Sequence, residues 1–186
     1  MAAHSQPSPH SFFHSRLQSA RSIRLAHVLP ADVPAAPVEV ELTEIRLDDT
    51  RPRYEALSYT WGSPEGTRPI SCDKKLLLVT LNCETALRHL RFRGVRRAIW
   101  IDAICIDQTK SKHGLAERAI QLPVMGEIYA GAQQTLCWLG EGRNYTSTVM
   151  RHIEQIGRCP SQRGLSKLMR LEGLFLLLQF PRMSTL

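Results

Sequence analysis

The sequence predicts an α/β domain whose central strands run parallel and carry helices on their flanks. Two stretches lead to that reading. Arg97-Ala-Ile-Trp-Ile-Asp-Ala-Ile-Cys-Ile-Asp-Gln108 opens with an apolar run, Ala98 to Ile101, rich in β-branched and aromatic residues, as a buried strand requires. Downstream, Glu117 to Tyr129 reads as a helix, and Thr135-Leu-Cys-Trp-Leu-Gly140 is a second apolar strand. Strand, long loop, helix and strand form a βαβ unit, whose right-handed crossover makes the two strands parallel neighbours.

The remaining elements follow in chain order. Residues 1–20 are rich in Ser, Pro and His and read as a disordered tail, although the lack of acids before Asp32 also suits a transit peptide. Its histidines, His4, His10 and His14, have no cysteines or acids nearby with which to bind a metal. Ile23 to Val28 is a short strand. Val38, Val40 and Leu42 alternate with Glu39, Glu41 and Thr43, the period of a half-buried strand. Asp48 to Pro52 is a turn. Tyr54 to Thr60 is a central strand broken at Gly62, with Tyr54, Ala56 and Ser58 on one face. Ile70–Cys72 and Leu76–Val79 make a hairpin around Asp73-Lys74-Lys75. Asn82 is the expected N-cap of a helix that buries Ala86, Leu87 and Leu90 and ends at Gly94. Thr109 to Gly114 reads as an exposed, mobile linker. Ala116, Ile120, Val124 and Ile128 form a core-facing stripe, and Pro123 predicts a kink or a helix start delayed to about Leu122. Val149, Ile153 and Ile156 suggest a further helix, and Leu165 to Leu178 a final apolar one.

Composition narrows the function classes. At 186 residues, 43% hydrophobic and 22% charged, the chain is long enough for one globular domain. No apolar stretch approaches the ~20 residues of a membrane span. The five cysteines are odd in number and lack C-x-x-C spacing, which weakens zinc and redox readings and fits a reducing, cytoplasmic compartment. The net charge of +7 is concentrated in Arg88, Arg91, Arg93, Arg96 and Arg97, a cluster that could meet phosphate or an acidic partner or simply form a solvated helix end. No Walker loop, G-x-G-x-x-G, G-x-S-x-G or H-E-x-x-H occurs.

Candidate site residues sit where strands hand over to loops. Asp102 and Asp107 lie at or beyond the carboxyl end of the Ala98–Ile101 strand, where open α/β folds build sites. Ser58, Tyr59 and Gly62 close the central strand, and Glu117 enters from the following helix, so that all six are expected at one rim. The bland alternative is open for the acids, as turn caps or partners of arginines such as Arg118. Trp61, Trp100 and Trp138 read as core.

Three blocks together, Tyr54-Glu-Ala-Leu-Ser-Tyr-Thr-Trp-Gly62, Ile99-Trp-Ile-Asp-Ala-Ile-Cys-Ile-Asp-Gln108 and Glu117-Arg…Gln121…Met125-Gly-Glu-Ile-Tyr129…Ala132…Trp138-Leu-Gly140, resemble the fungal heterokaryon incompatibility (HET) domain over roughly Ile23 to Gly142. The resemblance implies non-self recognition in a filamentous fungus, where fusion of unlike hyphae triggers programmed cell death. It implies protein partners or self-association, and neither nucleic acid nor a membrane span. HET domains resemble, more remotely, Toll/interleukin-1 receptor (TIR) domains, some of which assemble through homotypic contacts and some of which cleave NAD. The implied fold is flavodoxin/TIR-like, with a central mainly parallel sheet, flanking helices and an N-terminal β extension. The domain would span 21–158, between the tail at 1–20 and a truncated C-terminal helical remnant at 159–186. NAD cleavage would need a carboxylate beside the ribose, which makes Glu117 and Asp102 the catalytic candidates and Glu154 a third. Ser58, Tyr59, Gly62 and Asp107 would hold ligand, with no metal. Three features depart from the family pattern: a long loop between Gln108 and Glu117, Pro123 within the helix, and the absence of the Trp…Gln-Glu block that closes many members.

Overall fold

The computed structural model describes residues 11–49, 53–63 and 67–142, and the backbone of 175–181. In order the elements are β1 (Ser22–Val28), β2 (Glu39–Arg46), β3 (Glu55–Tyr59), β4 (Arg68–Cys72), β5 (Lys75–Val79), α1 (Leu81–Leu90), β6 (Arg97–Trp100), α2 (Asp102–Cys105), α3 (Lys112–Gly131), β7 (Gln134–Glu141) and β8 (Phe175–Pro181). Among the described residues the strands form one sheet of eight in the order β5-β4-β2-β1-β6-β3-β7-β8.

The sheet is mixed, not mainly parallel as expected. β6, β3 and β7 are parallel, as are β2 and β4, whereas β1 is antiparallel to both β2 and β6, β4 to β5 and β7 to β8. The β4–β5 pair is antiparallel because its two-residue turn is too short for the crossover that parallel neighbours need, whereas β1–β6 and β7–β8 pair strands far apart in the chain. β6 and β7 share direction across the α3 crossover, but they are not neighbours. β3, from earlier in the chain, lies between them, with Ala56 opposite Trp100 on one side and Thr135 on the other.

Period-2 alternation assigns each strand residue to a face. On one face Tyr54 donates to Ile128 O at 2.6 Å and Trp100 packs edge-on against Tyr129, which binds α3 to the sheet. On the other, Arg97 donates to Leu90 O and Trp138 stacks on His89, which binds α1. The two helices therefore cover opposite faces. Trp100 and Trp138 are core residues, as read from the sequence, but Trp61 is 41% exposed.

Several boundaries differ from expectation. Thr80, not Asn82, caps α1, its side chain accepting from Cys83 N, and the helix ends at Leu90 before Gly94. α3 begins at Lys112, capped by Ser111, and continues through Pro123, so the supposed linker is already its cap and first turn. Pro123 is exposed, where water can take up the carbonyl that its missing N–H leaves free. The expected stripe is only half right. Ile128 is buried, but Ala116 and Ile120 are exposed, and the helix buries Gly114, Glu117 and Gln121 instead. Phe175–Pro181 is a strand on β7 where a helix through Leu178 was expected. Residues 11–20, expected to be disordered, are docked: Phe12 N donates to Leu76 O, and His14 Nε2 donates to Ile104 O at 2.7 Å. The expected helix at Val149–Ile156 lies outside the described residues.

Candidate functional site

β3 and β6 end side by side at their carboxyl ends, and the chain turns there into α2. Asp102 opens α2, with one carboxylate oxygen accepting from Ala103 N and the other from Trp61 Nε1, both at 2.8 Å. Burial pushes its pKa above the ordinary carboxylate range, and the Trp61 and Ala103 hydrogen bonds oppose this only in part. Gly62 has φ +75°, a left-handed turn that brings the chain around beside Trp61. A Cβ there would meet only Asn82 Cβ at 3.7 Å, so backbone angle rather than space calls for the glycine. Asn82 secures the turn from α1, donating to Thr60 O and accepting from Trp138 Nε1 at 2.9 Å.

Tyr59 Oη is buried here, with Asp102 and Cys83 as its polar neighbours. Burial raises the pKa of both Tyr59 and Cys83, the thiol to about 12, so neither ionises near neutrality. Ser58, one residue earlier, belongs to the opposite face, beside Tyr129 and Cys137.

Glu117 and Asp107 do not join this rim. They form a second group beneath α3 with two residues that the sequence did not point to, Arg24 and His14. Arg24 of β1 donates to both Glu117 oxygens, at 2.6 and 2.9 Å, and to Cys105 O. Asp107 N gives Glu117 a third hydrogen bond at 2.8 Å. Burial alone would raise the Glu117 pKa, but the Arg24 and Asp107 hydrogen bonds prevail and hold it below the usual range. Asp107 accepts from Thr109 N at 2.9 Å, a turn-capping role, and its other near neighbour is His14 at 3.9 Å. Burial lowers the His14 pKa and keeps the ring neutral. Both Arg24 and Glu117 are almost completely buried, so each needs the other. The expected meeting of all six residues at one rim is corrected: Asp102, Tyr59 and Gly62 stay there, Ser58 lies on the opposite face, and Glu117 and Asp107 form a second group because Arg24 draws Glu117 towards β1. Glu154 lies outside the described residues.

The arginine cluster is largely engaged within the fold. Arg88 and Arg91 donate to carbonyls of the Val33–Pro37 loop, Arg97 pairs with Glu55, and Arg96 lies 3.5 Å from Glu41. Among the described residues, no group of three His, Cys, Asp or Glu side chains is placed to hold a metal ion, and no helix is long and apolar enough to cross a membrane.

Residues 54–172 match the family described as heterokaryon incompatibility protein (HET). The chain belongs to the HET family. Heterokaryon incompatibility protein 6, OR allele, of Neurospora crassa is 34% identical to it over 120 residues, covering 58% of this chain. The chain spans 17% of that relative's length. No solved structure matches. In this HET domain the first motif block becomes β3 and the Gly62 turn, and the second becomes β6 with α2. The third becomes α3 running into β7. The Asp102–Trp61 rim is built where the first two blocks end, and the Glu117 group where the second meets the third. β1 and β2 precede the matched span yet lie in the same sheet, and β1 supplies Arg24.

Proposed function

We propose that this HET domain is the death-triggering part of a non-self recognition protein of a filamentous fungus, acting in the cytoplasm through protein partners or self-association. The match over residues 54–172 carries this reading, supported by a relative itself named as a heterokaryon incompatibility protein. Within the domain we assign the signal to the rim around Asp102. A half-buried acid whose charge is disfavoured, beside an exposed indole on a left-handed turn, is the kind of arrangement that marks functional positions. Glu117 and Asp107 are better explained by the architecture, because both Glu117 oxygens are taken up by Arg24 and Asp107 caps the turn at Thr109 N.

A second reading, NAD cleavage as the death effector, rests on the remote likeness of HET domains to TIR domains. Asp102 favours it. The carboxylate would stabilise an oxocarbenium-like centre, with Trp61 as a stacking face and Tyr59 and Gly62 shaping the ligand's surroundings. Expression of wild type, Asp102→Asn and Trp61→Ala in a fungal host, at matched soluble protein, tests the rim. Incubation of the same purified proteins with NAD separates the two readings. Death without nicotinamide release supports the signalling module. Release that disappears in Asp102→Asn supports the enzyme. Death that both variants retain overturns the assignment to the rim.

A further inference from the structure

A cleft of about 550 Å³ opens on the other side of the Glu117 group, between residues 16–20 and the first turns of α3. That volume suits a small molecule. Leu17, Ala20, Ala116 and Ile120 give it an apolar wall, and Arg16, Lys112 and His113 its polar groups. Arg16 and Lys112 have no ion-pair partner among the described residues, although the chain spends carboxylates on arginines elsewhere. His113 Nε2 is buried with no hydrogen-bond partner. The ring lines the cleft through its other atoms.

The one acid on the wall does not offset this charge. Both oxygens of Glu117 are held by Arg24, so that pair is neutral and the cleft keeps the charge of Arg16 and Lys112. The same engagement leaves no free carboxylate to bind a cation. No Phe, Tyr or Trp lines the cleft, so the bases of a nucleic-acid strand would find no large ring to stack on.

We propose that this cleft binds a small phosphate monoester with an apolar body, its phosphate held by Arg16 and Lys112, its body on Ala116 and Ile120. The site is separate from the Asp102 rim, and neither stands or falls with the other.

Phenyl phosphate is the probe, titrated into the isotope-labelled full chain while the His113 ring and Ala116 methyl resonances are followed. Saturable shifts at both residues are expected, with affinity at least about tenfold above that for phenol or inorganic phosphate. Lys112→Glu and Arg16→Glu should each weaken binding by about tenfold, and added salt should weaken it further. Ala116→Phe, at an exposed position, should block the cleft and abolish binding without changing its charge. Absence of saturable shifts would overturn the proposal. Equal binding of inorganic phosphate, or binding unchanged in Lys112→Glu and Ala116→Phe, would do the same.

Discussion

Glu117 ties the first strand to the longest helix through one carboxylate. Replacing it with glutamine strands the Arg24 charge inside the fold, and the expected cost is about 3–5 kcal/mol, read from denaturant midpoints. The pH dependence has two windows. Glu117 is held below its ordinary 4.5, so its contribution is complete above that pH and is lost as pH falls through the folded value. Burial depresses His14 below 6.5, so the unfolded chain takes that proton more readily and stability begins to fall at about that pH. Stability measured against pH should therefore decline in two stages, with His14→Gln reducing the upper, to which the half-buried His27 and His89 also contribute, and Glu117→Gln reducing the lower. A single decline unaffected by His14→Gln would contradict this. Arg24 could have been anticipated. An arginine inside the apolar run Ser22 to Val28 must find a buried acid, and a helix that presents Glu117 and Gln121 towards the core is the counterpart of that need. His14 gave no such sign, because its partners, Ile104 O and Asp107, lie far along the chain.

At the scale of elements, Trp100 anchors β6 under α3. It is completely buried, so Trp100→Ala should cost about 3–5 kcal/mol and leave little soluble protein. An unchanged melting temperature would remove Trp100 from the core. The β4–β5 turn makes an opposite prediction. Asp73 and Lys74 both hold positive φ, 49° and 62°, as a two-residue hairpin requires. Asp73 also accepts from Leu42 N at 3.0 Å, whereas among the described residues no hydrogen bond is seen from the Lys74 side chain. Lys74→Gly should raise stability by about 1 kcal/mol by relieving the left-handed strain. Strands and this hairpin were legible from apolar alternation and turn residues. The start of α3 was not, because the cap at Ser111 stands amid charged residues that read as a loop, and Pro123 drew the expected start forward. The strand at Phe175–Pro181 was read as helix because a continuous apolar run of Leu and Phe carries neither period clearly.

For the whole molecule, the crossover rule gave the direction of β6 and β7 but not their separation. Strand order depends on which faces and edges fit in three dimensions, and nothing local in Glu55–Tyr59 says that it will enter between two later strands. The candidate site was legible to the same extent. Asp102, Tyr59 and Gly62 could be assigned to the carboxyl ends of neighbouring strands from strand reading alone. The departure of Glu117 and Asp107 to a second group required knowing where β1 lay. That division turns two acids with similar sequence credentials into opposite expectations. Asp102→Asn removes a charge that the fold disfavours and should leave stability within about 1 kcal/mol of wild type, whereas Glu117→Gln should lose it. The most direct measurement is therefore death of a filamentous fungus expressing wild type or Asp102→Asn, with soluble protein and melting temperature recorded for both. Killing by wild type, and its loss in an Asp102→Asn protein as soluble and as heat-stable as wild type, is the predicted result; undiminished killing by that variant would contradict it.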